Sequence, residues 1–355
     1  MIAMLMAAAA AFAITIFGTP FLIRFLQKRG VGQQIRDDGP IEHPHVAKAG
    51  TPTMGGLAIV LAVVMGYLFA HLRRENVKFS SAGWTLLLIV VGLGLVGFID
   101  DYLGIIKRRN LGLRKRGKTL GIVLVALVFA FLAINWVHAS TMLSFTRPFD
   151  FDFTTVGWVL WTVFVVYAMA NAVNFTDGAD GLAAGSSAFT FGAFVVIGFT
   201  EFRHPEIYVR SGEAIPHDLF SAQALDLAII AAAMLGACAG FLWWNAAPAK
   251  IFMGDSGSLA IGGAMAGLAL LTRTQLLLPI LAGLPLIEML SVIAQIIAYR
   301  GFRRRVLRMA PIHHHFEVGG WSEFTVIVRF WLFAGICAAA GIGIFYADFL
   351  RFGLE

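Results

Sequence analysis

Ten apolar runs, each close to membrane length and each ended by a polar cluster, set the rhythm of this chain. They cover residues 1–25, 53–71, 82–99, 120–137, 156–172, 181–199, 224–243, 258–271, 276–299 and 325–349. A helix that crosses a bilayer needs roughly 20 apolar residues, and these runs qualify once glycine and polar interruptions are allowed. The pattern predicts an all-α polytopic integral membrane protein of about ten transmembrane helices, forming one domain over 1–355. Composition agrees. The chain is 59% hydrophobic and 14% charged, with a mean hydropathy of +0.79, against about 25% charged for a soluble domain.

Charge then orients the map. The first run carries its positive flank (Arg24, Lys28, Arg29) after the apolar stretch, which reads as a span with its N-terminus outside and not as a cleaved signal peptide. With ten spans, the segments 24–48, 107–118, 250 and 300–329 become cytoplasmic, and they hold 19 of the 27 Lys and Arg residues. Losing one span would scramble that asymmetry. The net charge of +6 therefore has a membrane explanation, a basic face against anionic lipid, and nucleic acid is not expected as a partner. Cys238 and Cys337 both fall inside runs with no Cys-x-x-Cys, so neither a disulfide framework nor a thiolate metal site is indicated.

The polar clusters gather on the cytoplasmic side. Asp100 and Asp101 close the third run, at a helix C-terminus where the macrodipole disfavours anions. Either Lys107, Arg108 and Arg109 compensate them, or a divalent cation does, bound through carboxylates, water and substrate phosphate as Mg2+ prefers. The turn Asn171-Ala-Val-Asn174-Phe175-Thr-Asp177-Gly178-Ala-Asp180-Gly181 is too polar for a mere connector. It is no calcium loop, because the twelfth position from Asp177 is Ala188, and no dinucleotide fingerprint, because no strand precedes it. Its amides and carboxylates suit a nucleobase edge or a metal.

A third cluster runs from Asn245 through Lys250 and Phe252 to Gly254-Asp255-Ser256-Gly257-Ser258. Asp255 and Ser256 open a helix, where free N–H groups favour anions such as a pyrophosphate. His313, His314 and His315 are consecutive, and a helix turns about 100° per residue, so the three imidazoles alone do not make a zinc site. They read either as hydrogen-bond donors to phosphate or sugar or as a solvated tract. Lys48 stands at the mouth of a span, as a phosphate contact or as an ordinary positive-inside lysine, while Asp37 and Asp38 before Gly-Pro read as a turn. Glu288 falls mid-span, where an acid costs about 2.5–3.5 kcal/mol. It is expected to face protein or water, bonded to Ser291 or Gln295, in either a functional or a packing role.

Taken in order, Lys48-Ala-Gly-Thr-Pro-Thr-Met-Gly-Gly56, Asp100-Asp101, 171–181, 245–258 and Pro311-Ile-His-His-His-Phe-Glu317 resemble one family over essentially the whole chain. That family is the bacterial phospho-N-acetylmuramoyl-pentapeptide transferases, within the polyprenyl-phosphate N-acetylhexosamine 1-phosphate transferase superfamily. The resemblance implies transfer of phospho-N-acetylmuramoyl-pentapeptide from UDP-N-acetylmuramoyl-pentapeptide to undecaprenyl phosphate, giving lipid I and UMP at the bacterial inner membrane. It implies Mg2+ as cofactor, Asp255 as its principal ligand with Asp100 and Asp101 close by, and a homodimer.

By the same resemblance Lys48, Asn174, Phe175, Asp177, Gly178, Asp180, Asn245 and Phe252 line the uridine and diphosphate pocket, and His313, His314 and His315 contact phosphate or sugar. Asp100 is implied as a base. A phosphate monoester, however, has a second pKa of about 6, which favours direct attack with the aspartates arranging metal and nucleophile. A covalent phospho-aspartate route stays open. Two rivals stand beside this reading, a sister enzyme using UDP-N-acetylglucosamine and an ion-coupled transporter built around Glu288.

Overall fold

The computed structural model describes residues 1–29, 50–72, 77–106, 112–209 and 215–353. Lys48, Asp37, Asp38 and the Lys107, Arg108, Arg109 triplet lie outside them. Among the described residues eight helices are long and apolar enough to cross a membrane, and two shorter apolar helices accompany them. The long ones are α1 (Ile2–Lys28), α3 (Ser81–Ile106), α4 (Lys115–Leu132), α5 (Thr154–Thr176), α6 (Leu182–Arg203), α8 (His217–Asn245), α11 (Gly283–Phe302) and α13 (Glu323–Gly353). The shorter pair is α2 (Gly56–His71) and α9 (Asp255–Leu271). The chain is an all-α polytopic membrane protein, with short helices α7 (Pro205–Tyr208), α10 (Leu278–Leu281) and α12 (Ile312–Val318) between spans.

Helix α9 is the axis of the molecule. Every residue from Ser256 to Leu271 is buried, and α3, α5 and α2 pack around it. Its sequence, Asp-Ser-Gly-Ser-Leu-Ala-Ile-Gly-Gly-Ala-Met-Ala-Gly, is dominated by small residues, which let helix backbones approach where lipid gives no hydrophobic drive to associate. A side chain on Gly97 of α3 would run into the backbone of Asp255, so this glycine sets how closely the third span approaches the head of α9. Helix α8 packs between α1 and α6 on the other flank. Large apolar side chains such as Phe17, Phe131, Leu160, Phe164 and Leu332 stay exposed on the perimeter, as lipid-facing residues do.

Two features depart from the sequence reading. The expected span at 276–299 is not one helix. It breaks at Ala282 (φ −107°, ψ 39°) into α10 and α11, and Leu284 packs with Ala179, Leu182, Ile327 and Ala334, residues beside the polar turn that follows α5. The start of α11 packs against the middle of α13, where a side chain on Gly283 would meet Cys337, so Glu288 follows a break and does not sit on one straight spanning helix. The second is a hairpin, β1 (Met142–Ser144) antiparallel to β2 (Pro148–Asp152), on the opposite face. Its period-two signal, Phe149-Asp-Phe151-Asp-Phe153, was present in the sequence, and Asp152 accepts from the Thr141 hydroxyl at 2.7 Å.

Candidate active site

The ends of α3, α5 and α8 and the starts of α4 and α9 meet on the face richest in Lys and Arg. Gly254 makes this possible. With φ +72° and ψ 179° it adopts a conformation open essentially to glycine, and a Cβ there would lie 2.7 Å from Asp101 Oδ2. That tight entry delivers the first turn of α9 onto Asp101, whose Oδ1 accepts from Asp255 N and Oδ2 from Ser256 N, both at 3.1 Å. Asp101 is a cap supplied from another helix. It satisfies N–H groups that would otherwise be orphaned and complements the helix dipole, and its two oxygens are thereby engaged by protein.

Asp255, held in place by that cap, accepts from Asn174 Nδ2 at 2.5 Å through Oδ1, and Asn174 also donates to Ser258 Oγ at 2.9 Å. The other oxygen meets the ammonium of Lys118, which lies 3.7 Å from Asp100 Oδ2 as well. Asp100 Oδ1 accepts from Leu113 N at 2.7 Å. Carboxylates from α3 and α9 thus converge on one positive charge supplied by α4. About a fifth of each of the Asp255 and Lys118 side chains remains exposed, so solvent reaches the cluster. Sequence reasoning passed over Lys118 because it sat within a run of basic loop residues; only the packing of α4 against α3 and α5 separates it from them.

The polar turn after α5 closes one side. Asp177 accepts from the backbone of Gly254, and burial, followed by the negative charges of Asp255 and Asp101, pushes its carboxyl well above the usual carboxylate range. A cation arriving between these groups would relieve that repulsion. Gly178 faces the His313 ring. Phe175 is half-buried on the same turn. Asp180 is a loop tie: its Oδ2 accepts from Ala249 N at 2.9 Å and its own N–H donates to Glu323 Oε1 at 3.1 Å.

The segment 246–254 is braced in the same way. Asn245 Nδ2 donates to Ile251 O at 2.9 Å, leaving its buried Oδ1 without a partner. Phe252, half-buried, pairs its backbone with Pro52 O and Gly55 N at 2.8 and 2.9 Å. His313 and His314 are buried on α12, whereas His315 turns away to accept from Arg308 N at 3.0 Å. The three imidazoles point in different directions, as the helical rotation between neighbours dictates.

A polytopic helical protein with convergent carboxylates at one face matches what similarity to known proteins adds. A model described as glycosyl transferase family 4 matches residues 83–273, more than half of the chain; the fold and the family together define a membrane phosphoglycosyl transferase. A second model, described as phospho-N-acetylmuramoyl-pentapeptide-transferase signature 1, matches residues 48–60. The phospho-N-acetylmuramoyl-pentapeptide-transferase of Frankia alni is 48% identical over 98% of both chains. That of Streptomyces griseus is 47% identical over 94% of this chain and 95% of its own, and that of Corynebacterium kroppenstedtii 46% identical over 99% of both. The chain belongs to the phospho-N-acetylmuramoyl-pentapeptide-transferase family.

Proposed function

We propose that this chain transfers phospho-N-acetylmuramoyl-pentapeptide from UDP-N-acetylmuramoyl-pentapeptide to undecaprenyl phosphate, forming lipid I and UMP on the cytoplasmic face of the bacterial inner membrane. The observation that carries the reading is the convergence of Asp100 and Asp255 on Lys118 at the membrane surface, in a chain 48% identical end to end to a protein of that name. One substrate is a soluble polyanion and the other keeps its phosphate at the surface and its tail in lipid. Span ends on one face are where the two can meet.

A lipid phosphate oxygen attacks the sugar-bearing phosphorus, the diphosphate P–O bond breaks, and UMP leaves in line. Catalysis of such a transfer is mostly positioning and charge neutralisation. Asn174 and the Asp101 cap fix the direction of Asp255, while Lys118 supplies a cation that reaches a phosphate oxygen as readily as a carboxylate. Buried Asp177 and the braced 246–254 segment give the nucleotide side of the pocket a rigid wall.

A divalent cation fits this donor set. The oxygens of Asp255 and Asp100 already face a single positive group, and hard oxygen donors suit Mg2+. Among the described residues no three His, Cys, Asp or Glu side chains are grouped so as to hold a metal ion, so an ion here would need water and phosphate oxygens as further ligands. Asp255 would hold it, with Asp100 beside it, and it would supply neutralisation of the diphosphate charge.

The purified chain with undecaprenyl phosphate, Mg2+ and either UDP-N-acetylmuramoyl-pentapeptide or UDP-N-acetylglucosamine should release UMP with the first donor only. Release with the second alone would replace this reading with the sister transferase. Glu288, the best argument for a transporter, is fully enclosed against His313 and lines no open pathway among the described residues.

A further inference from the structure

Glu288 has no exposure, yet neither neighbour expected from the sequence meets its carboxylate. Ser291 Oγ donates to the Glu288 backbone oxygen at 2.6 Å, and Gln295 is engaged with the backbone of Val306 and Leu307. What reaches the carboxylate is His313, whose Nδ1 lies 3.0 Å from Oε2 with both side chains fully enclosed. The contact joins the first turns of α11, after the break at Ala282, to α12, 25 residues further along the chain.

A second carboxylate and histidine stand alongside. His314 Nδ1 is 2.7 Å from Glu317 Oε2, and the two imidazole rings are 4.0 Å apart. In both pairs the acid lies nearest Nδ1, and Nε2 points towards the turn at Gly178: a methyl built there would collide with His313 Nε2 and lie 3.5 Å from His314 Nε2. Among the described residues neither buried nitrogen of His313 makes a hydrogen bond, and Nδ1 has the Glu288 carboxylate as its close ionic neighbour. Asp177, next to Gly178, accepts from Gly254, one residue before Asp255, so the His313 Nε2 faces the turn that walls the carboxylate centre. A buried imidazole nitrogen aimed at that turn, with an acid 3.0 Å from the opposite nitrogen, is an arrangement that can fix which ring atom meets a ligand.

We propose that Glu288 is a positioning residue for the transferase reaction: it holds His313 so that Nε2 is presented to a phosphate or sugar oxygen of the nucleotide-linked substrate. This rests on the transferase reading above. It also explains why an acid is kept in an apolar helix, since a ring free to rotate would present either nitrogen, and an anionic oxygen binding Nε2 with a proton has its charge balanced by Glu288.

The test compares Glu288→Gln, Glu288→Leu, Glu288→Asp, His313→Gln and the Glu288→Gln/His313→Gln double variant. All are full-length chains in detergent with verified thermal unfolding, and UMP release is followed while each substrate is varied. Glu288→Gln and Glu288→Leu should lower kcat/KM for the UDP-linked donor about tenfold or more. KM for undecaprenyl phosphate should stay unchanged, and Glu288→Asp should recover part of the loss. In the His313→Gln background, Glu288→Gln should add less than about twofold, because the two act through one group.

Glu288→Leu replaces the buried acid with an apolar side chain of similar size, so it keeps the test open if the Gln variant folds poorly. Full donor kcat/KM in either folded variant, or additive losses in the double variant, would overturn the assignment. A wild-type chain that released no UMP would instead bring down the transferase reading and this inference with it.

Discussion

Buried carboxylates sit at both ends of this helical bundle, and they are treated in opposite ways. Near the opposite face, Asp226 of α8 is surrounded by donors. Its Oδ2 accepts from Tyr67 OH at 2.8 Å and from both the N–H and the hydroxyl of Ser80 at 2.7 Å, while His71 Nε2 lies 2.9 Å from Oδ1. Tyr67 and His71 belong to α2, so one aspartate ties together α2, α8 and the entry to α3. At the basic face, Asp100, Asp101, Asp177 and Asp255 gather with Lys118 in contact with Asp100 and Asp255, and burial, followed by the neighbouring negative charges, raises the Asp177 carboxyl well above the usual range. An acid surrounded by donors is a clasp. An under-neutralised group of acids, held apart by caps and packing, is poised to take up more positive charge, and the contrast locates the chemistry without reference to any relative.

The sharpest way to break that contrast is to remove one acid from each end. Asp255→Asn should cut UMP release by about 10^3-fold or more, the scale of losing a preorganised electrostatic contact to a transition state. Its thermal unfolding should change little, because the lost Lys118 contact is offset by relieved repulsion with the neighbouring acids; retained activity would remove Asp255 from the centre of the site.

Asp226→Ala should do the reverse. Leaving His71, Tyr67 and Ser80 without their acceptor should cost about 3–5 kcal/mol in chemical denaturation, with turnover per folded molecule close to wild type. A selective loss of turnover there would erase the distinction.

Smaller effects sharpen the comparison. Gly254→Ala forces a φ of +72° on a residue with a side chain and presses it against Asp101. It should cost about 1–3 kcal/mol and lower activity with stability, since it moves the head of α9. Asp101→Ala removes the cap from that helix and should cost about 1 kcal/mol. Its activity loss should lie well below that of Asp255→Asn, because Asp101 acts by orienting Asp255. Equal losses in UMP release for the two would place Asp101 in direct contact with the substrates or the cation.

Much of the architecture was legible in advance because membrane insertion imposes a one-dimensional rule. Apolar runs of the right length, alternating with basic loops, have few other ways to satisfy their backbone groups in lipid, and the aspartate clusters fell at run ends for the same reason. The hairpin at 142–152 was hidden by its brevity, and the α10–α11 break by a run that stayed apolar through it. Lys118 was hidden by its basic surroundings, since a count of positive charges says which side of the membrane a lysine is on and nothing about which acid it meets.

The sequence by itself determined that this is a membrane protein of about ten helices with acidic, amide and imidazole groups gathered at one surface, because transfer free energy is a property of each segment taken alone. Only the tertiary structure decided the roles within that gathering. Asp101 became a cap and Asp255 the partner of Lys118, although both are aspartates at span ends. Asp180 became a loop tie, His315 turned to Arg308, and Glu288 met His313 instead of its neighbours on α11. These outcomes depend on which helices pack side by side, and that is fixed by contacts between residues far apart in the chain, where no local pattern records it.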